Sequence, residues 1–283
     1  MASFTNFATL SYNGGTTNSN IVTGEILEAL TAVKTAVSAN YSAGDRITYA
    51  LSLVNTGTAA VTDYTVTDNL GGYTVGANTV YPLAYNAGTV RYYINGVLQT
   101  APTVTAGPPL TVTGLTVPAG GSAVLIYETT ATPVAPLATG SSITNTATIT
   151  GGGLTTPITA QATVDTANSA DLTISKALSP TTVTENGRIT YTFVISNTGN
   201  TEATATGNVV VTDTFAPILR NIAVTYNGTA WTEGTNYTYN AATGVFTTLA
   251  GQITVPAASF TQNTDGTFTV TPGTATLVIT GTV

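Results

Sequence analysis

The sequence predicts an all-β chain of two tandem antiparallel sandwiches, on three observations. Apolar and polar residues alternate with period two: Ile47, Tyr49, Leu51 and Leu53 alternate with Thr48, Ala50 and Ser52, and Ile189, Tyr191, Phe193 and Ile195 with Thr190, Thr192 and Val194. Such runs place one strand face in a core and the other in water. They are cut by NTG, NGG, ENG and DG turn signals, as the short strands of a sandwich require. The chain also repeats itself, and one segment of the repeat occurs out of order.

That segment comes first. Phe4 to Gly15 reads FTNFATLSYNGG, and Ile143 to Leu154 reads ITNTATITGGGL. Both hold an Asn at the third position, in a T-N-x-A-T core, and both run into glycines. The second copy closes a repeat, whereas the first opens the chain with nothing before it to close. Next come the two repeats. Ala32-Val33-Lys34 matches Ile174-Ser175-Lys176, Arg46-Ile47-Thr48-Tyr49 recurs as Arg188-Ile189-Thr190-Tyr191, and Asn55-Thr56-Gly57 recurs as Asn197-Thr198-Gly199, all at one constant spacing. With a small shift, Val66-Thr67-Asp68 matches Val211-Thr212-Asp213, Asn95-Gly96 matches Asn227-Gly228, and Thr116-Val117-Pro118 matches Thr254-Val255-Pro256. Ala123-Val124-Leu125-Ile126 resembles Ala275-Thr276-Leu277-Val278, after which the second repeat reaches Val283 without a closing T-N-x-A-T strand. The expected layout is a donor strand and linker over 1–26, repeat one over 27–165, and repeat two over 166–283. The best helical candidate, Gly24 to Lys34, has Glu25 and Glu28 near its start, but its match to Ala170-Asp171-Leu172-Thr173-Ile174 favours a strand. Little or no helix is expected.

Composition narrows the function. The 283 residues are 42% hydrophobic, enough for two cores, and only 7% charged, against about 25% in ordinary domains. No apolar run reaches the roughly 20 residues of a membrane helix, so no membrane insertion is expected. A net charge of -7 with six basic residues argues against nucleic acid. With no Cys and no His, thiol catalysis, Ser-His chemistry, disulfides and the usual zinc sites are excluded. Scattered Asp and Asn residues form no calcium-loop run; no metal and no cofactor are expected. MASFTNFATL has neither a basic n-region nor an apolar h-region, so it does not read as a signal peptide, and the export route stays open.

The strings LTISKALSPTTVTENGRITYTFVISNTGN and NVVVTDTF, with the ITNTATIT strand of repeat one, resemble the domain-of-unknown-function-eleven repeats. These are Ig-like modules of bacterial and archaeal surface proteins. The resemblance covers both repeats and lies in the order Lys, NTG, VTD, TNTAT. It implies Ig-like sandwiches doing extracellular structural or adhesive work. Related surface-fibre domains of Gram-positive bacteria carry internal Lys–Asn isopeptide bonds. The permuted ending departs from a plain tandem array.

The chain has two lysines, Lys34 and Lys176, at equivalent positions. Each repeat adds a VTD aspartate, Asp68 or Asp213, and repeat one adds Asn145. An amine, a carboxyl and a carboxamide are the parts of a self-formed isopeptide bond. Burial disfavours an ammonium, freeing a nucleophilic amine. It also favours a protonated carboxyl, which can polarise the Asn carbonyl and pass a proton to departing ammonia. Rigid positioning can stand in for an enzyme, at effective molarities of about 10⁵–10⁸ M. Lys34, Asp68 and Asn145 form an intramolecular set. Lys176 and Asp213 lack an Asn in cis, and Asn6 on the first strand supplies one from another subunit, at a spacing to Lys34 close to that of Asn145 to Lys176. Asp63 and Glu128 are rival acids for repeat one, but neither has an acidic counterpart in repeat two.

The expectation is therefore a head-to-tail homopolymer. Strand 4–12 of one copy would enter the open sheet edge of repeat two in the next, with Phe4, Ala8 and Leu10, or the opposite set Phe7, Thr9 and Tyr12, filling the inner face. The partner is the chain itself, with any anchor or tip protein left open, on a cell or spore surface. A competing reading is a ligand-binding module of a larger adhesin, for carbohydrate or a host surface. Trp231 with Tyr226 and Tyr237 is its candidate stacking patch, for which a core or hairpin role is the plainer account. An enzyme has least support, because no paired carboxylates form a recognisable motif. The glycosylation triplets at Asn227 and Asn236 are assigned no role.

Overall fold

A computed structural model of the chain describes residues 2–26 and 29–283. Leu27, the first residue of repeat one, and Glu28 lie outside the described residues; of the helical candidate Gly24 to Lys34, residues 24–26 and 30–34 are strand. Among those described, the architecture is β throughout, with one short 3-10 turn at Ala205–Gly207. The chain divides into two compact units, Met1–Ala135 with Ser142–Asp165, and Pro136–Ser141 with Thr166–Val283.

The amino-terminal segment is a bent hairpin. β1 (Ala2–Asn6) and β2 (Thr9–Tyr12) run out, and β3 (Gly15–Asn18) and β4 (Val22–Ile26) return. β1 pairs with β4, placing Asn6 opposite Val22 and Phe4 opposite Gly24. β2 pairs with β3, placing Thr9 opposite Asn18. The reversal is made by Asn13 and Gly14, at φ 43° and 78°, the left-handed pair that a two-residue hairpin turn needs. The expected strand and linker of 1–26 is thus a strand and its own returning partner, because the NGG signal closes a hairpin there.

The rest of the first unit is a two-layer sandwich. β5 (Leu30–Ala36), β6 (Asn40–Tyr41), β7 (Arg46–Asn55), β8 (Val61–Asp68), β9 (Leu110–Val117), β10 (Ser122–Ala131), β11 (Ser142–Gly151) and β12 (Ile158–Thr166) are its main strands. One sheet runs β5-β7-β10, then Arg91–Ile94 and Val97–Leu98, with Leu83–Tyr85 also on β10. The other runs β6-β12-β11-β8-β9, ending at Thr103–Thr105. The short link from β5 to β6 brings the same ends of the two sheets together, so β12 and β11 face β5 and β7. Ile47, Tyr49, Leu51 and Leu53 on β7, Leu125 and Tyr127 on β10, and Ile143, Ala147 and Ile149 on β11 fill the space between, all buried, as their alternation dictates.

The second unit has the same first sheet. β13 (Leu172–Ser179), β14 (Arg188–Asn197), β15 (Thr212–Thr214), β16 (Arg220–Tyr226), β17 (Tyr237–Asn240), β18 (Val245–Thr248) and β19 (Gly273–Thr282) are its main strands. One sheet runs β13-β14-β19-β16 and ends at Thr229–Trp231. The facing sheet holds three strands, β15-β18-β17. A small ribbon pairs Ser259–Gln262 with Phe268–Thr271 around the Asp265-Gly266 turn. The repeated NTG signals are corners rather than sites. Asn55 donates to the Ala59 and Pro118 carbonyls and accepts from Gly57 N, and Asn197 does the same with Thr201, Pro256 and Gly199.

Candidate isopeptide sites

In the first unit Lys34 sits on the inward face of β5, in step with buried Leu30. Asp68 ends β8, with Leu110 of β9 opposite it on one side and Ala147 of β11 on the other. Asn145 lies two residues from Ala147 and so shares the inward face of β11 with it. Lys34 Nζ donates to Asp68 Oδ2 at 2.5 Å, with the two side chains 0% and 1% exposed. The Tyr127 hydroxyl donates to the same Oδ2. Asp68 Oδ1 accepts from Leu70 N at 3.0 Å, so the turn role and the ion-pair role fall on different oxygens. The turn is tied to β11 by Asn69, whose Oδ1 accepts from Gly71 N and Thr146 N. Lys34 Nζ also stands 4.8 Å from the Tyr49 ring centroid and 5.8 Å from that of Tyr127.

Asn145 is 0% exposed, and neither its Oδ1 nor its Nδ2 has a hydrogen-bond partner of good geometry. The hydroxyls of Tyr127 and of Tyr49, the latter likewise without a partner of good geometry, lie beside it. A buried polar group left unpaired costs about 1–3 kcal/mol, so this carboxamide is an anomaly in a well-packed core. Burial pulls the Lys34 amine down to about 8, against the opposing pull of the Asp68 charge and hydrogen bond. Burial, reinforced by the Asp68 charge, pushes the Tyr127 and Tyr49 hydroxyls well above the phenol range, which keeps both protonated as donors. The rival acids stand elsewhere: Asp63 is exposed on β8, and Glu128 reaches Arg46 at 3.7 Å.

In the second unit Lys176 Nζ donates to Asp213 Oδ2, again at 2.5 Å, but the side chains are 40% and 17% exposed. Aromatic faces replace part of the missing enclosure: Nζ lies 4.5 Å from the Tyr191 ring centroid, 5.4 Å from Phe193 and 5.5 Å from Phe215, within cation–π range. Asp213 Oδ1 accepts from Thr214 N. The exposure has a topological cause. β8 is paired on both edges, by β9 and β11, and Val61 pairs with Val117 at its far end. β15 is paired by β18 alone, and Ala203, the counterpart of Val61, bridges Val255, the counterpart of Val117. The occupied edge of β15 is therefore the β9 side. Among the described residues, no strand pairs with its other edge, where β11 and Asn145 stand in the first unit.

Asn6, Phe4, Phe7, Ala8 and Leu10 all lie on the exposed hairpin. Phe4, Asn6, Ala8 and Leu10 fall at alternate positions of the outgoing strand. From Asn6 to Thr9 that strand advances three residues while its partner returns four, from Val22 to Asn18, so the bulge lies on the returning strand. The suggested aromatic patch does not form as a set of three. Tyr226 and Trp231 stack on each other at 4.8 Å, while Tyr237 packs on Phe246 at 5.2 Å. Two residues of the first site were not singled out in the sequence. Tyr49 was visible only as the end of a repeated RITY string. Tyr127 had no repeat signal, because Ile279 stands opposite Tyr191 where Tyr127 stands opposite Tyr49.

No family model matches this chain, so the resemblance to the domain-of-unknown-function-eleven repeats is unconfirmed, and no curated protein matches it. Among solved structures it is similar to the major pilin of Bacillus cereus, at 14% identity over 96% of this chain and 73% of that one, with a TM-score of 0.35. It is similar to the pilus backbone of Streptococcus pneumoniae, at 13% identity over 86% of this chain and 55% of that one, with a TM-score of 0.36. The amino-terminal domain of a Streptococcus gordonii adhesin aligns at 14% identity over 48% of this chain and 32% of that one, with a TM-score of 0.36. Likeness at this level carries no argument about this chain.

Proposed function

We propose that this chain is the structural subunit of an extracellular self-assembling fibre on a cell or spore surface. The outgoing strand of one copy, around residues 4–12, adds to the open edge of β15 in the next. Lys–Asn isopeptide bonds form at Lys34–Asn145 within the copy and at Lys176–Asn6 between copies. The single observation that carries this reading is the unpaired edge of β15 beside the Lys176–Asp213 pair, at the place that β11 occupies beside Lys34–Asp68. An edge left unpaired near exposed apolar side chains, here Ile174 and Leu178, is a template for another chain, and strand addition supplies both backbone hydrogen bonds and side-chain register. The contact joins different surfaces of the two copies, so it propagates into an open filament unless its rotation closes a ring.

The chemistry follows from the positions of the groups. The Lys34 ammonium passes a proton to Asp68 Oδ2, leaving a neutral amine. The protonated carboxyl donates to Asn145 Oδ1 and draws electrons from Cγ. Nζ attacks Cγ as the carboxyl proton passes to Oδ1; the carboxylate so formed takes a proton from Nζ and gives it to Nδ2, the Cγ–Nδ2 bond breaks and ammonia leaves. Asp68 regains the Oδ1 proton and ends as a neutral carboxyl facing a neutral amide, until that proton leaves with the ammonia as ammonium. Tyr127 is the positioning residue that holds Oδ2 in place. The same steps at Lys176, Asp213 and Asn6 need the neighbour to enclose them. Deleting residues 2–12 tests the reading by electron microscopy of the purified chain. Filaments are expected from the full chain and none from the deletion variant, and filaments from both would contradict the proposal.

A further inference from the structure

We infer that the element passed between copies is the whole hairpin 2–26, with β4 entering beside the outgoing strand as a second added strand. This rests on the donor-strand reading and changes what is donated. In the first unit, β8 is followed by β11 and then by β12, its hairpin partner. The register of that hairpin places Asn145 opposite Ala162 and Ile143 opposite Val164. The amino-terminal hairpin places Asn6 opposite Val22 and Phe4 opposite Gly24. The match thus extends from the Asn strand to its partner, and β4 stands where β12 stands.

The acceptor has room and need for both strands. In the first unit β12 lies over β5 and turns Ala160, Ala162 and Val164 inward, all buried. In the second unit β13 is the counterpart of β5, and beyond Leu172, which packs on the core, its inward face is open. Ile174 is 54% exposed and Leu178 is 38% exposed, at alternate positions on either side of Lys176. One strand on β15 replaces β11 and leaves that face in water. Two strands replace β11 and β12 and cover it. The returning strand carries apolar surface for the purpose, since Val22 is exposed on the face that Ala162 buries. β1 and β4 are also fitted to each other. The Phe4 ring lies over Gly24, where an added Cβ would come within 2.4 Å of it. The opposite face is polar. Thr5 stands opposite Thr23 as Thr144 stands opposite Thr163, an exposed pair whose hydroxyls meet at 2.9 Å.

That outward pair gives the test. The chain has no cysteine, so Thr5→Cys with Thr23→Cys installs a single staple that holds the hairpin shut without touching its inward face. Filament yield is read by electron microscopy for wild type and for the double variant, oxidised and reduced. The expected result is equal yield from all three. Filaments from wild type and the reduced variant but none from the oxidised one would overturn the inference and leave single-strand donation standing. Filaments from none would sink the fibre reading along with it. Val22→Asp gives a second readout should the staple fail to form. Loss of filaments is expected, and unchanged yield would show that the returning strand does not enter the neighbour.

Discussion

The two units present one ion pair in two environments. Lys34 and Asp68 are closed inside a sandwich, whereas Lys176 and Asp213, at the same separation, stand at a half-open edge. The strands carrying the pairs correspond: Lys34 faces Leu51 as Lys176 faces Phe193, and the edge strand is joined to the next in the same sense. Among the described residues, what differs is one hairpin, present as β11–β12 in the first unit and without a counterpart in the second. Burial, and with it the chemistry available to a lysine, is therefore set by a neighbour in the sheet rather than by the local strand. On the proposed reading, the first unit is the form that the second takes once a neighbour fills its edge.

The strongest way to break the comparison is to remove the acid from each pair. In the unlinked chain, Asp68→Ala strands a buried ammonium and is expected to cost about 3–5 kcal/mol. Asp213→Ala leaves a lysine that reaches water and is expected to cost about 1 kcal/mol or less. Denaturant titration of the two variants, each in an Asn145→Ala background so that no bond forms, measures both. Equal losses would mean that the two environments are not different.

A smaller effect is expected in the pH dependence of bond formation at Lys34–Asn145. The reactive pair, a neutral amine with a protonated carboxyl, holds as many protons as the ion pair, so transfer between them does not depend on pH. Above about 8 the Lys34 site has lost a further proton, and the carboxyl that must serve as acid is no longer replenished. The rate of ammonia loss on refolding should hold steady below about pH 8 and fall about tenfold per unit above it. A rate that rises through pH 8 would mean that the amine acts without Asp68.

The smallest effect sharpens what the units share. Asn95 and Asn227 occupy the left-handed position of matching hairpin turns, at φ 48° and 47°, and each accepts a backbone bond, from Ser122 N and Thr276 N. Asn95→Ala and Asn227→Ala should each cost about 1–2 kcal/mol by thermal melting, and by the same amount in both units.

Much of this was legible because alternation and turn chemistry are local. The β7 and β14 strands, the Asn-Gly hairpins and the lysine–aspartate positions all follow from strings that repeat. The 1–26 segment was read only halfway. Its outgoing strand resembles β11 residue by residue, while the returning strand shares no string with β12, since Val22 and Gly24 stand where Ala162 and Val164 do. Pairing, not sequence identity, carries that correspondence. Tyr127 was hidden for the opposite reason, a position of the candidate site present in one repeat and replaced by Ile279 in the other. The open edge in repeat two was legible as a missing T-N-x-A-T strand, but that it falls on β15 beside Asp213 follows only from the pairing of the sheet.

In the proposed fibre, one copy's Asn6 meets another's Lys176. The direct measurement is a denaturing gel of boiled full-length protein, with masses taken of the bands and their cross-linked peptides. The account predicts a ladder containing a Lys176–Asn6 peptide lighter by one ammonia than its two parts, and a Lys34–Asn145 peptide lighter by one ammonia in every band. A single monomer band of unmodified mass would contradict both bonds. A monomer band short of one ammonia at Lys34–Asn145 alone would confine the chemistry to the first unit and contradict the weld between copies.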